Sequence, residues 1–300
     1  MTKWIVFEAG SRAGLSARMF YEDYIRRTRS EDILLMQDKD LSVVQSINAR
    51  ADKSIGMVHG VWTGFGTTLS ETSILYSEDT VVFPADELTR QKDVDLNGYG
   101  IRRRWFNDVL PIYYNKTAVN AELSLSGVRI PKTLDLNEVF VKPNTMSAGS
   151  RGLQSLSNVC VQQKLDIAEE FVVDCFVSEN FDIEAICARE VKLRSGYDKL
   201  IRLLPETHSV YKFAEKIIAS KHGMFKGVCH LQIARTNEMG APYYYIEGSK
   251  RISGTSLVNL LVGYNPFMLL QGSKFIRTPY DEEWHSYEDL LCEVNQFIYD

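Results

Sequence analysis

The sequence has few cysteines, and their spacing suits neither a disulfide framework nor a zinc site. The 300 residues include five cysteines, an odd number, and no two of them form a CxxC pair. They are Cys160, Cys175, Cys187, Cys229 and Cys292. Reduced thiols of this kind are typical of cytosolic proteins. We therefore expect a cytoplasmic protein without structural disulfides.

Long apolar runs and an excess of basic residues are also missing. No stretch approaches the ~20 apolar residues that a membrane-spanning helix needs. The apolar start Trp4–Phe7 is too short for a signal peptide and is followed at once by Glu8. The formal net charge is −5, whereas nucleic-acid-binding domains usually carry a basic face. These features argue against a membrane or nucleic-acid partner, and the basic run Arg102–Arg104 is typical of a solvated helix face.

Two well-known nucleotide-binding motifs are absent as well. The glycine turn Ala9–Gly14 after the first strand could hold an anion at a helix N-terminus, but it lacks the G-x-G-x-x-G pattern. The loop Ser147–Gly152 lacks the pattern G-x-x-x-x-G-K-[ST] of a P-loop. A dehydrogenase-like protein that uses the N-terminal turn is therefore a distant alternative, and a tight strand-to-helix turn is favoured.

The first third of the chain alternates strand-like and helix-like stretches. The predicted strands are Trp4–Phe7, Ile33–Met36 and Met57–Val61, and the predicted helices are Leu15–Arg27 and Leu41–Ala51. This alternation indicates an α/β fold with a parallel sheet, whose ligands lie near the carboxyl ends of its strands. Residues 62–100 give no clear pattern. The length of 300 residues favours about two domains.

The pattern changes near residue 114 to a mixture of helices and longer strands. The predicted helices are Asn115–Leu125 and Thr207–His222. The predicted strands are Val139–Pro143, Cys160–Gln163, Glu170–Val177, Ile183–Arg189, Val228–Ile233 and Tyr243–Glu247. The apolar run Ser256–Tyr264 suits a buried helix. We place a domain boundary near residue 113.

A lysine and a glycine-containing loop form the first group with candidate chemistry. Lys142 ends an apolar strand, and the loop Ser147–Gly152, which contains Arg151, follows it. Glycines let backbone N–H groups approach phosphates closely, and a lysine adds positive charge. A plain β-hairpin is the alternative.

Oxygen-bearing side chains on a predicted hairpin form the second group. Gln232 and Glu247 lie on its two strands, and Ser249 follows two residues later. Such ligands on neighbouring strands suit Mg²⁺. Arg251 could pair with a phosphate or a substrate carboxylate, or merely with Glu247. Glu170, at the start of another strand, could bind ribose hydroxyls, although a surface carboxylate would look the same.

In this order the groups resemble the ATP-grasp superfamily, most closely its carbamoyl-phosphate synthetase-like and biotin-carboxylase-like branch, which includes carboxylate–amine ligases. The resemblance covers about residues 114–275. It is carried by the segments Gly127–Pro131, Val141–Pro143, Gly149–Gly152, Gln162–Leu165, His230–Gln232, Glu247–Arg251 and Gly254–Leu257, together with Glu170.

The resemblance implies a Rossmann-like N-terminal domain at 1–113, followed by a two-lobed ATP-grasp domain at 114–300. A flexible phosphate-covering lobe would lie at about 137–165. The implied cofactors are ATP and Mg²⁺ (or Mn²⁺). The implied partners are a small-molecule carboxylate and a nucleophilic co-substrate, joined through an acyl phosphate with release of ADP. Homo-oligomerisation is left open.

The resemblance also implies a role for individual residues. The nucleotide would be bound by Lys116, Lys142, Ser147, Gly149, Ser150, Arg151, Gly152, Gln163, Lys164, Leu165 and Glu170. The metal would be bound by Gln232, Glu247 and Ser249, and Lys250 and Arg251 would act in catalysis.

The sequence departs from the family pattern in the last of these motifs. Ser249 and Lys250 stand where the family has asparagine and proline, and a serine hydroxyl is a weaker metal ligand. An ATP-binding regulatory or scaffolding protein without ligase turnover is therefore the alternative function.

Three basic residues, Arg189, Lys192 and Arg194, suggest an anionic substrate, or else a solvated charged hairpin.

Overall fold

The protein was analysed as a computed structural model, which describes most of the chain from residue 116 onward and shorter segments before it. The described residues are 3–7, 12–30, 32–38, 58–63, 80–82, 104–105, 116–132, 139–143, 159–178, 180–195, 198–220 and 225–299. The chain divides into two compact units. The first comprises Met1–Asn107, Arg251–Thr278 and Leu291–Asp300, and the second comprises Asp108–Lys250 and Pro279–Leu290. The domain limits 1–113 and 114–300 stay a prediction.

The first unit contains a five-stranded parallel sheet with the strand order β3-β2-β1-β4-β5. Its strands are β1 (Lys3–Phe7), β2 (Ile33–Asp38), β3 (Val58–Thr63), β4 (Thr80–Val82) and β5 (Arg104–Trp105). The first three strands and the parallel pairing agree with the sequence prediction. The strand β4 falls in the stretch 62–100 that gave no readable pattern. The predicted helix at 41–51 lies outside the described residues.

Helix α1 (Arg12–Thr28) packs against the later part of the first unit through aromatic side chains. Tyr21 and Tyr24 both contact Phe267, with ring centroids 5.8 and 5.9 Å apart. The Asn265 side chain donates hydrogen bonds of 2.8 Å to the Phe20 carbonyl and to the Asp23 carboxylate. These contacts join residues more than 240 positions apart and explain why residues 251–278 belong to this unit.

The predicted buried helix at 256–264 is a 3₁₀ helix, Ser256–Val262, followed by the short α2 (Pro266–Leu270). Gly263 ends the 3₁₀ helix with a φ of 86°, and a Cβ there would lie 2.9 Å from the Ile276 carbonyl oxygen. The positive φ and this close approach require glycine at position 263. The Asn265 side chain then accepts a hydrogen bond from the Phe267 N–H and starts α2.

The second unit is built on a six-stranded antiparallel sheet with the order β12-β11-β8-β9-β10-β13. Its strands are β8 (Ile167–Val177), β9 (Ile183–Ser195), β10 (Asp198–Leu203), β11 (Gly227–Thr236), β12 (Tyr243–Ser249) and β13 (His285–Ser286). A separate two-stranded sheet pairs β6 (Val139–Pro143) with β7 (Val159–Gln163). The sequence prediction missed β10 and stopped β9 at residue 189.

Two helices cover one face of the large sheet. They are α3 (Lys116–Leu125) and α4 (Ser209–Ser220). Alternate residues of the central strands, such as Val173 and Leu231, join Leu123 and Ile217 in one buried apolar cluster. This alternation is the period of a strand with two different faces. The other face of the sheet therefore carries the intervening residues, which include several polar side chains.

A last helix, α5 (Tyr287–Tyr299), begins in the second unit and ends in the first. No helix in the described part of the chain has both the length and the apolar character needed to cross a bilayer. Among the described cysteines, Cys175, Cys187 and Cys229 are buried thiols and Cys292 is exposed. Burial raises the pKa of the Cys175 thiol, so we expect it to be protonated and inert.

Two leucines of α3 allow a direct test of this packing. Leu123 is fully buried in the cluster, whereas Leu125 is 85% exposed. Leu123→Ala should lower the free energy of unfolding by about 2–5 kcal/mol, because it leaves a cavity against the sheet. The measurement is urea unfolding followed by circular dichroism.

The matched control is Leu125→Ala in the same helix, which should change stability by no more than about 0.5 kcal/mol. Equal losses in the two variants would contradict the orientation of α3.

Candidate functional site

The three predicted metal ligands lie on one face of the β11–β12 hairpin. Glu247 is opposite Gln232, and Ser249 is opposite His230. Directly opposed residues share a face, and so do residues two apart on one strand. Gln232 is the one residue of β11 that is exposed, although the strand is otherwise buried or half-buried. The face therefore opens to solvent at the pair formed by Gln232 and Glu247.

The predicted ribose carboxylate lies on the same face. Glu170 on β8 is opposite Ala234 of β11, two residues from Gln232, and it is exposed. Strand spacing places the backbones at Glu170 and Glu247 about 12 Å apart. Two carboxylates and an amide that come from three strands thus share one solvent-accessible surface.

A lysine contacts this surface from α3. The Lys116 ammonium lies 3.0 Å from Oε2 of Glu247, and its side chain is 7% exposed, against 23% for Glu247. Lys116 is the first residue of α3, and Val119 and Leu123 on the same helix are buried in the apolar cluster. The packing of α3 therefore fixes the backbone from which the Lys116 side chain extends to Glu247. The two residues are 131 positions apart in sequence.

The segment after α3 connects β12 with β7 through backbone hydrogen bonds. The Arg129 carbonyl accepts from the Tyr245 N–H at 3.0 Å, and the Lys132 carbonyl accepts from the Gln163 N–H at 2.5 Å. Gly127 ends the helix with a φ of 73° and turns the chain into this segment. The segment 127–132, which contains the family-like stretch 127–131, therefore joins the predicted metal-binding strand to the predicted adenine hinge.

The predicted hinge residues follow β7 directly. Gln163 and Leu165 are half-buried, and Lys164 is exposed. The next residue, Asp166, accepts hydrogen bonds of 3.0 Å from both the backbone and the side chain of Asn237, in the turn after β11. The hinge is thereby fixed at one end to β7 and at the other to the β11–β12 turn.

A buried ion pair lies further along the polar face. Arg189 on β9 donates to the Asp174 carboxylate on β8, and both side chains are almost fully buried. The Arg189 charge is therefore paired within the sheet face. The Lys192 ammonium lies 4.1 Å from the centre of the Trp284 ring. Two of the three basic residues that suggested an anionic substrate thus have partners within the protein. The side chain of Arg194 lies outside the described residues.

The remaining predicted site residues lie on β6, outside the described residues, or directly after β12. Lys142 lies on β6 opposite Cys160, and only its backbone is described. Ser147, Gly149, Ser150, Arg151 and Gly152 lie outside the described residues. Lys250 is half-buried after β12, and Arg251, also half-buried, donates to the Ile252 carbonyl at 2.9 Å. All of these assignments stay predictions.

Sequence reasoning missed Asp174, and the sequence does contain a signal for it. Asp174 is the single acidic residue in the apolar stretch Phe171–Val177, and a carboxylate in a buried strand requires a partner. The partner, Arg189, cannot be read from spacing. The contact of Lys116 with Glu247 is likewise invisible in the sequence.

The donor set of this face suits a hard cation better than a transition metal. No group of three or more His, Cys, Asp or Glu side chains in the described ranges is placed to hold a metal ion. The face instead offers the Glu247 carboxylate, the Gln232 amide and the Ser249 hydroxyl. Mg²⁺ is usually bound by one or two carboxylates together with substrate phosphates, so these residues fit it.

Solved structures of ATP-grasp proteins share this architecture. N5-carboxyaminoimidazole synthetase from Staphylococcus aureus superimposes with a TM-score of 0.62 at 12% identity, over 99% of this chain and 85% of that chain. A putative ATP-grasp superfamily protein from Archaeoglobus fulgidus gives 0.61 at 12% identity, over 95% and 98%. L-amino acid ligase from Bacillus licheniformis gives 0.57 at 11% identity, over 93% and 75%.

The first of these enzymes has also been crystallised with ADP, and that complex superimposes with a TM-score of 0.61 at 12% identity, over 95% of this chain and 79% of that chain. No protein-family model matches the sequence, and no curated protein matches it. The similarity therefore lies in the fold, which the structural superpositions establish. The chain has the fold of the ATP-grasp superfamily.

Proposed function

We propose that the chain is an ATP-dependent ligase that joins a small-molecule carboxylate to an amine or another nucleophile. The observation that carries this proposal is the shared polar face of β8, β11 and β12. It bears Glu170, Gln232 and Glu247, with Lys116 held against Glu247. The solved structures with the same fold include a synthetase, a ligase and an ADP complex, which supports nucleotide use.

In this proposal each group has the role that the family resemblance implies. Glu247 and Gln232 would hold Mg²⁺, which would supply positive charge to offset the negative charge of the ATP phosphates. Glu170 would bind the ribose hydroxyls, and Gln163 to Leu165 would contact the adenine. Lys116 and Lys142 would neutralise phosphate oxygens, and Ser147–Gly152 would cover them. The predicted N-terminal domain at 1–113 would be Rossmann-like.

The proposed reaction has two steps. A carboxylate oxygen of the substrate attacks the γ-phosphorus of ATP, the bond to the β-phosphate oxygen breaks, and ADP leaves. The nucleophile then attacks the acyl phosphate carbon and phosphate leaves. Charge neutralisation and alignment carry most of the catalysis in such a reaction. Lys250 and Arg251 would steady the transferring phosphoryl group, and no protein nucleophile is required.

A second candidate function is ATP binding without turnover. Ser249 stands where the family has asparagine, and it is only 2% exposed and lies opposite His230. A small buried hydroxyl contributes less to metal binding than an amide oxygen that reaches further. Tight binding of Mg·ATP, together with no ADP release across a panel of carboxylates and amines, would favour this candidate over the ligase.

The ligase proposal predicts a strong effect at Glu247. Glu247→Gln should lower the rate of ADP formation with Mg²⁺ and a carboxylate acceptor by about 10²-fold or more, because charge stabilisation by a bound metal is worth several kcal/mol in the transition state. A coupled ADP-release assay measures this rate.

Glu238→Gln is the matched control, since Glu238 is an exposed residue in the turn of the same hairpin and its carboxylate accepts a hydrogen bond from the Tyr244 hydroxyl. It should leave the rate unchanged. Full activity of Glu247→Gln would refute the metal assignment.

The orientation of β8 predicts a difference between two neighbouring glutamates. Glu170→Ala should weaken the binding of ATP about tenfold, the value of one hydrogen bond to a charged group. Isothermal titration calorimetry with a non-hydrolysable ATP analogue measures the change.

Glu169→Ala should leave nucleotide affinity unaltered, because Glu169 forms an ion pair with Arg235 on the opposite face of the strand. If both variants bound the analogue as the unaltered protein does, the ribose assignment would be wrong.

A further inference from the structure

The ion pair between Lys116 and Glu247 joins two residues with different proposed tasks. Lys116 is the proposed phosphate ligand, and Glu247 is the proposed metal ligand. Their charged atoms are 3.0 Å apart, and the side chains are 7% and 23% exposed. Because both groups are largely withdrawn from water, their interaction is screened less than that of a surface pair. The carboxylate that would receive the metal is therefore already neutralised.

We propose that Lys116 acts as a resident counter-ion that keeps Glu247 from binding a divalent cation until a nucleotide is present. This inference rests on the proposed function and adds an order of binding to it. A cation bound to Glu247 while Lys116 stays in place would bring a double positive charge close to the ammonium group. Repulsion of this kind weakens cation binding.

A bound triphosphate removes this obstacle. Its oxygens offer Lys116 an alternative acceptor, which releases Glu247, and they supply further ligands for the cation. Metal and nucleotide then favour each other by equal factors, as linkage requires. The phosphate oxygens, as ligands of the cation, would couple the binding of metal and nucleotide even without Lys116. The contribution of Lys116 must therefore be measured as its effect on cation binding in the absence of nucleotide.

The helix that carries Lys116 makes this contact reproducible. Val119 and Leu123 anchor α3 in the apolar cluster. The Lys116 side chain therefore extends from a backbone position that this packing fixes. Its partner, Glu247, lies on the edge strand β12. The Tyr245 N–H of this strand donates a hydrogen bond to the Arg129 carbonyl. The separation of Lys116 from Glu247 therefore depends on two anchored elements.

The test is a titration of the protein with Mn²⁺ in the absence of nucleotide. Electron paramagnetic resonance of the free ion measures how much Mn²⁺ is bound. Lys116→Met should bind Mn²⁺ about tenfold more tightly than the unaltered protein in the absence of nucleotide. The same variant should bind ADP more weakly. Lys116→Arg keeps the positive charge and should retain the weak Mn²⁺ binding of the unaltered protein.

Two controls separate this effect from others. Lys212→Met removes the same charge from an exposed position of α4 and should leave Mn²⁺ affinity unchanged. Combining Lys116→Met with Glu247→Gln should abolish the gain, which would locate the ion at Glu247. If Lys116→Met does not fold, Lys116→Gln provides the same test and keeps a hydrogen-bond donor for Glu247.

Equal Mn²⁺ affinity in the unaltered protein and in the neutral Lys116 variants would overturn the inference. A gain that survives Glu247→Gln would overturn it too. Failure of the proposed function would instead appear as absence of ATP binding to the unaltered protein, a result on which the Mn²⁺ comparison does not depend.

Discussion

The candidate site depends on the two different faces of the sheet formed by β8, β11 and β12. Along β11, Leu231 and Ile233 face the apolar cluster under the two helices, and His230 and Gln232 face the other way. A slip of one residue in strand pairing would exchange these sets and bury polar groups among apolar ones. The apolar packing thus fixes the register, and the register fixes which polar side chains meet.

The polar face also has to satisfy the groups that it buries. Asp174 would be costly as an isolated buried charge, and Arg189 on the neighbouring strand compensates it. At the solvent-exposed end, Lys116 does the same for Glu247. Each buried or half-buried carboxylate described on this face therefore has a cationic partner, whereas Glu170, which is exposed, can be hydrated.

Much of the second unit could be predicted because its strands have distinct local patterns. The mostly apolar stretches Val228–Ile233 and Glu170–Val177 were predicted as strands, and the predicted helix Asn115–Leu125 agrees with α3 to within one residue. The strand β10 was missed because Asp198, Lys199 and Arg202 make it look like a charged loop. Its burial comes from tertiary contacts, for example from Glu190 and Trp284 around Arg202. The contact of Lys116 with Glu247 depends on how α3 packs, which no local pattern encodes.

The balance of charge on the polar face bears on how a nucleotide could bind there. Lys116 offsets Glu247, and Arg189 offsets Asp174, so these four residues contribute no net charge. The exposed Glu170 adds one negative charge to the same face, so the face holds no excess positive charge for a triphosphate and little excess negative charge for a free cation. A nucleotide that arrives with its own Mg²⁺ suits it better than either ion alone, because the complex brings both charges together. Gln232 and Ser249, the other two proposed metal ligands, are neutral and would preserve this balance if Glu247 changed partner.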